Sequence, residues 1–268
     1  MSSQGFGNNF PKGTVCIWQI PLSESVDVTP YLSVLSVAER QKANRFRFQR
    51  DRCFYVLAHA GLRYILADYL QLPAAEIPFE EGERGKPKLA GGWEATGIQF
   101  NLSHTQNLAL VAVAYDTPVG VDVEKVRPVK NLQRLSERFF CPGEAEAIAQ
   151  FPFPQQQQAF FEIWTCKEAY LKGIGCGLAG AWHRVEVSVA PHQPPQIHRL
   201  DGVSPAASPW QVQAVSLPAG YVGALAICDR CCSDATYCAL DVQLNPLPAT
   251  SPVPKVSPAS DAYPPHWS

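Results

Sequence analysis

Apolar positions recur along this chain with two periods, and the switches between them mark out its elements. Residues 14–20, TVCIWQI, are dense in β-branched and aromatic side chains and predict a strand. Ser36 and Glu39 have the spacing of a capping box, so a helix is expected to start there. A second helical stretch is expected over residues 50–70, where Phe54, Leu57, Ala58, Gly61 and Ile65 recur at helical spacing. Residues 73–95 carry Pro, Gly and charges and read as a loop region. Strands are then expected at 98–102, 108–115 and 119–124, with a turn at Asp116-Thr117-Pro118.

Helical patterns return at 132–140, 143–150 and 155–172, the last ending at Gly173 and Gly175. Strands follow at 184–189, 210–217 and 221–228, with a loop over 191–209. The order of strand, helices and strands, then helices and strands, predicts an α+β fold in two similar halves joined near Pro118. The expected division is a loose leader at 1–13, an N-terminal half at 14–118 and a C-terminal half at 119–240. A tail at 245–268, rich in Pro, Ser and Ala, has too few apolar residues to fold alone.

Composition narrows the class. The 268 residues carry a formal net charge of −2, which gives no global attraction to nucleic acid or anionic membrane. No apolar run is long enough for a membrane span, and the polar start lacks a signal-peptide core, so a cytoplasmic protein is expected. Nine cysteines, several isolated within elements, suit reduced thiols. Cys228, Cys231, Cys232 and Cys238 include a C-x-x-C-C run, but no second ligand pair follows at zinc spacing.

Candidate chemistry gathers in two motifs, GVDVEKVRP at 120–128 and WTCKEAYLKGIGCGL at 164–178. Asp122 and Glu124 leave the same face of their strand, while Val119, Val121 and Val123 face the core. Two such carboxylates repel unless a cation, a proton or an ion pair with Lys125 or Arg127 neutralises them. Glu168 and Lys172 share a helix face, either as an ordinary i,i+4 ion pair or as a third carboxylate with an ammonium for a phosphate. Mg2+ takes oxygen ligands from carboxylates and substrate phosphates, so Asp122, Glu124 and Glu168 suit a Mg2+–diphosphate site. Lys167 points away from Glu168 on the helix and is expected to be structural. Ser103 and His104 follow a strand at 98–102, either as a turn or as phosphate contacts. Residues 40–52 hold Arg40, Lys42, Arg45, Arg47, Arg50 and Arg52 against Asp51 alone, a candidate patch for a further phosphate.

Gly85-Lys86-Pro87, FNLSHT at 100–105, GVDVE at 120–124 and W-x-x-K-E-x-x-x-K at 164–172 stand in the order seen in the Sfp-type 4′-phosphopantetheinyl transferases, which the chain resembles over roughly residues 15–230. The resemblance implies a pseudo-twofold pair of α/β halves in one monomer, with coenzyme A between them. It implies transfer of the 4′-phosphopantetheine arm of coenzyme A to a serine of an acyl, aryl or peptidyl carrier protein, with release of 3′,5′-ADP. Carriers of fatty-acid, polyketide or nonribosomal-peptide synthesis are the expected partners. Asp122, Glu124 and Glu168 would bind Mg2+, with Mn2+ as the alternative. Glu168 would serve as base and Lys172 would stabilise charge on the attacked phosphate. Ser103, His104, Lys86, Arg40, Lys42 and Arg45 would contact coenzyme A, with His104 counted among the catalytic groups. Lys125, Arg127, Lys130, Arg134 and Arg138 would dock the carrier.

Overall fold

The runs 15–20 and 108–115 are buried on both faces because each is covered on both, and the two faces feed different cores. The computed structural model describes residues 15–82, 85–153, 155–176, 182–190 and 195–228, together with the backbone of 237–241. The expected leader, the Pro-rich tail, Cys231, Cys232, Gly177 and Leu178 lie outside the described residues. Strands β1 (Val15–Pro21), β4 (Ile98–Thr105) and β5 (Leu108–Tyr115) form an antiparallel sheet in the order β1-β5-β4. Strand β11 (Tyr237–Asp241) joins the other edge of β1 in parallel. Strands β6 (Val119–Lys125), β9 (Trp210–Ala214) and β10 (Tyr221–Cys228) form a second antiparallel sheet, order β6-β10-β9.

Helix α1 (Val37–Ala43) starts on the expected capping box: Ser36 N donates to Glu39 Oε2 at 2.7 Å, and Glu39 N donates to Ser36 Oγ at 3.2 Å. Helix α2 (Gln49–Leu70) covers one face of the first sheet through Phe54, Leu57, Ala58 and Ile65, against Trp18 and Ile20 of β1 and Val111 and Val113 of β5. The other face of that sheet, Val15, Ile17, Leu108, Leu110, Ala112 and Ala114, packs on Val119, Val121 and Val123 of β6 and on Leu225 and Ile227 of β10. Helices α3 (Leu132–Phe139) and α4 (Pro142–Gln150) precede α5 (Gln155–Gly173), which covers the far face of the second sheet over Val222, Ala224 and Ala226. The layers are therefore helix, sheet, sheet, helix. Among the described residues this is a mixed α/β fold of several small sheets and five α-helices.

Four expectations need correcting. The loop at 73–95 contains a hairpin, β2 (Phe79–Glu81) with β3 (Pro87–Leu89), in which Phe79 and Leu89 pair. The loop at 191–209 contains β8 (Gln196–Leu200), paired with β7 (Val185–Ser188). Strands this short show no readable alternation. Strand β9 ends at Ala214, short of the expected 217. Strand β4 runs on to Thr105 rather than turning after Leu102, because its backbone stays paired with β5 as far as Leu108 and its polar side chains find partners on β6.

That edge belongs to β6, whose outer backbone groups form no ladder with another strand among the described residues. Val121 N donates to Asn101 Oδ1 at 2.8 Å, and Lys86 Nζ donates to Val119 O at 2.8 Å. A side chain from the first sheet and one from the β2–β3 hairpin thus satisfy the edge of the second sheet, which would otherwise expose unpaired amides and carbonyls. On its helix-facing side β6 presents Gly120, pressed against the backbone of α5 at Ala169 and Gly173. A Cβ at Gly120 would lie 2.8 Å from Gly173 Cα and closer still to the Ala169 carbonyl oxygen. No flexible side chain is available to yield.

Gly120→Ala is therefore expected to destabilise the fold by about 1–3 kcal/mol through overpacking and to push α5 off the sheet. Gly143→Ala, in α4 with nothing within 4 Å of the added methyl, is expected to be neutral or to stabilise by about 0.4–1 kcal/mol. Thermal unfolding of the two variants checks the contrast; equal melting temperatures would refute the close-approach argument.

Candidate active site

Alternation along β4 decides what meets what. Phe100 and Leu102 turn toward α2, so Asn101, Ser103 and Thr105 turn toward β6. Ser103 Oγ donates to Asp122 Oδ1 at 2.7 Å, and Thr105 Oγ1 donates to Glu124 Oε2 at 3.1 Å. From α5, Lys172 Nζ reaches Asp122 Oδ1 at 2.5 Å and donates to Ser103 Oγ at 3.0 Å. Lys172 therefore bridges to the strand, pairing with Asp122 rather than with its i,i+4 neighbour Glu168. Arg127 Nη1 holds Glu124 Oε2 at 2.8 Å.

The third carboxylate is the least satisfied. Glu168 is 4% exposed, and its Oε1 is buried without a hydrogen-bond partner, as is Asp122 Oδ2. Burial, then the negative charge of Asp122, push the Glu168 pKa up to about 7, against the pull of Lys172. Buried orphaned carboxylate oxygens are costly, and a hard cation is the partner that carboxylates of this kind accept. Among the described residues no three His, Cys, Asp or Glu side chains already converge as a ligand cluster. Lys172 and Ser103 hold one Asp122 oxygen, while Thr105 and Arg127 hold Glu124. The residues fit a divalent cation on two counts: two free buried oxygens from Asp122 and Glu168, and a donor set made only of carboxylates.

The other expected contacts scatter by geometry. His104 follows Ser103 on the strand and so faces the opposite way, toward α2; one phosphate cannot take both in the same direction. His104 is exposed, and desolvation by the protein around it, then the charges on His59, Lys172 and Lys42, lower its pKa. Lys42 stands over the Tyr55 ring, 5.5 Å from the centroid. Arg45 is exposed. Arg40 departs from expectation: its Nη1 donates to the carbonyls of Leu32 and Leu35, so the guanidinium ties down the segment before α1. Lys86 donates to Val119 O and, at 3.3 Å, to Gly173 O, and burial lowers its pKa to about 8. Lys130, Arg134 and Arg138 are exposed. Lys125 lies over the Tyr221 ring, and Arg127 lies between Glu124 and the Phe161 ring.

Lys167 is structural, as its helical direction implied. Its ammonium is fully buried, pairs with Glu144 Oε2 at 2.9 Å and donates to the carbonyls of Trp182 and Val185. Glu144 also accepts from Cys141 N at 2.6 Å and Val187 N at 2.7 Å. All three protons of the amine are used, joining α4, α5 and β7. Sequence reasoning missed Glu144, Asn101 and Thr105. The last two were detectable, since with Ser103 they form an alternating polar row once β4 is extended.

Residues 118–226 match the family model of the 4′-phosphopantetheinyl transferase superfamily, and residues 20–116 match that of the 4′-phosphopantetheinyl transferase N-terminal region. The 4′-phosphopantetheinyl transferase HetI of Nostoc sp. is 40% identical over 68% of this chain and 77% of its own. This chain belongs to the 4′-phosphopantetheinyl transferase superfamily. The transferase psf-1 of Bacillus pumilus is 34% identical over 54% of this chain and 60% of its own. The transferase Sfp of Bacillus subtilis is 29% identical over 59% and 68%, respectively. The junction between the two matched regions falls at residues 116–118, the turn that separates β5 from β6.

Two outcomes follow for the metal-free protein. A Glu168 pKa raised above its unfolded value means the folded state holds a proton that the unfolded chain has lost. Between pH 4.5 and about 7 stability therefore falls as pH rises. Glu168→Gln, neutral throughout, is expected to raise the melting temperature at pH 8 and to change it little at pH 4.5. A melting-temperature difference independent of pH would refute the shift. Lys167→Met strands Glu144 in the core and is expected to cost about 3–5 kcal/mol in urea unfolding; a loss below about 1 kcal/mol would show that the pair is not buried as described.

Proposed function

We propose that the Asp122–Glu124–Glu168 group is the metal and catalytic site at which this chain performs the transfer of its family. The activity is movement of the 4′-phosphopantetheine arm of coenzyme A to a serine of an apo carrier protein. The observation that carries the site assignment is the pair of buried, unpartnered oxygens on Asp122 and Glu168, beside the Lys172 ammonium that pairs with Asp122.

Asp122, Glu124 and Glu168 would hold Mg2+, which supplies charge neutralisation for a diphosphate. Glu168 takes the proton of the carrier serine hydroxyl, directly or through water. The serine oxygen then bonds to the β-phosphorus, the bond from that phosphorus to the bridging oxygen breaks, and the electron pair leaves with 3′,5′-ADP. Lys172, held by Asp122 and Ser103 at the same spot, meets charge growing on the attacked phosphate. Ser103 lies on the diphosphate side. His104, Lys42 and Arg45 are left for the outer phosphate, and Lys86 for the nucleotide. Lys130, Arg134 and Arg138 present an exposed basic face to an acidic carrier. The enzyme acts as a monomer.

Two equivalent halves, 14–118 and 119–240, belong to the same reading. Its support is order: β1, α2, a hairpin, β4, β5 assemble as β1-β5-β4, and β6, α5, a hairpin, β9, β10 assemble as β6-β10-β9. No helix among the described residues is long and apolar enough to cross a membrane.

Incubation with Mg2+, coenzyme A and an apo carrier, followed by intact mass of the carrier, tests the proposal. A gain of one phosphopantetheine is expected, abolished by chelation and by Asp122→Ala, and lowered about 100-fold or more by Glu168→Gln. Lys172→Ala is expected to lower kcat more than it raises KM for coenzyme A. Wild-type turnover in the carboxylate variants would refute the site; 3′,5′-ADP without carrier modification would make the enzyme a hydrolase.

A further inference from the structure

Arg127 stands just past the end of β6 with its side chain 45% exposed, yet its backbone is tightly constrained. Pro128 follows it, and the residue before a proline is restricted to extended backbone. The chain is pinned on either side. Val126 N donates to Gly220 O at 2.9 Å, and Val129 N donates to Gln157 Oε1 of α5 at 2.8 Å.

The head group is as firmly placed as the backbone. Its guanidinium carbon lies 4.8 Å from the centroid of the buried Phe161 ring. Nη1 donates to Glu124 Oε2 at 2.8 Å and to Lys125 O at 3.1 Å, which uses both protons of that nitrogen. A planar guanidinium can rest its face on a ring while its edge donates. Phe161 and Glu168 are seven residues apart on α5, two turns along one face. Arg127 therefore connects the helix face that carries Glu168 to the strand carboxylate of Glu124.

Thr105 approaches Glu124 from β4. It is buried, and its Oγ1 donates to the same oxygen, Oε2, at 3.1 Å. Two donors on one oxygen fix the orientation of the carboxylate and leave Oε1 for ligation. Metal-ligating carboxylates are themselves held by hydrogen bonds, and losing such a partner typically costs about 10–100-fold in metal affinity or activity. Charge alone predicts the reverse. Removing a cation 2.8 Å from Glu124 makes the site more negative, which by Coulomb's law tightens a divalent cation. Positioning and simple neutralisation therefore differ in sign.

We propose that Arg127 is a positioning residue of the metal site: seated on Phe161, it holds Glu124 Oε2 together with Thr105 and leaves Oε1 for the cation shared with Asp122 and Glu168. This rests on the site reading above. It gives Arg127 a task that needs no carrier protein.

Titration of the carrier-free enzyme with Mn2+, followed by the EPR signal of the unbound ion, tests the proposal. Arg127→Met keeps the apolar stem over the ring and removes the head group. Thr105→Val removes the hydroxyl without altering charge. Both variants are expected to bind Mn2+ about tenfold more weakly than the unsubstituted enzyme. The melting temperature of Arg127→Met is expected to stay level, because a half-exposed ion pair contributes little to stability. In the carrier-modification assay both variants are expected to need about tenfold more Mg2+ for half-maximal rate, with kcat at saturating Mg2+ largely kept. Unchanged or tighter Mn2+ binding by Arg127→Met overturns the proposal and leaves Arg127 as a neutraliser of Glu124. Mn2+ binding that Asp122→Ala does not weaken would instead sink the site reading, and the positioning role with it.

Discussion

One close approach organises the molecule: the backbone of α5 lies directly on Gly120 of β6. Any side chain at that position would lift the helix from the sheet. Because a strand alternates, the residue two positions on, Asp122, emerges on the same side and at the foot of the helix. Because a helix repeats every three to four residues, Glu168 and Lys172 flank the contacting Ala169 and Gly173. The site is a geometric consequence of bringing two backbones as near as glycine permits.

What that contact brings together is electrically unfinished. Ser103 and Lys172 neutralise one oxygen of Asp122, and Thr105 and Arg127 occupy Glu124. The remaining Asp122 oxygen and Glu168 Oε1 face each other's charge in a dry setting, which is why the Glu168 proton is held to about pH 7. The Lys167–Glu144 pair, one residue away along α5, shows the opposite case. There the ammonium has three partners and both carboxylate oxygens accept hydrogen bonds. Adjacent residues of one motif thus divide into a structural pair and a reactive group, and the division follows from the hundred-degree turn between them.

The edge of β6 shows how the two sheets depend on each other. Asn101 and Lys86 satisfy backbone groups that a neighbouring strand would otherwise take. The first sheet therefore does more than pack against the second; with the hairpin it completes it, and in doing so it aims Ser103 and Thr105 at the carboxylates. Lys86 has a second carbonyl at the end of α5, so the same amine ties strand, helix and hairpin.

The sequence by itself determined the elements with a strong period. Helix α2, helix α5, and strands β5, β6 and β10 were all legible, as were the capping box at Ser36 and the carboxylates Asp122, Glu124 and Glu168. These are properties of neighbours along the chain, where sterics and periodicity act. Tertiary structure decided the rest. Hairpins β2–β3 and β7–β8 are too short to carry a period. The polar end of β4 is a strand because its backbone stays paired with β5, while β6 supplies partners for its polar side chains. Arg40 looked like a phosphate contact until the fold placed carbonyls beside it, and Lys172 looked like a partner for Glu168 until Asp122 arrived. Which charge meets which depends on distances across the chain, and those exist only once the layers have packed.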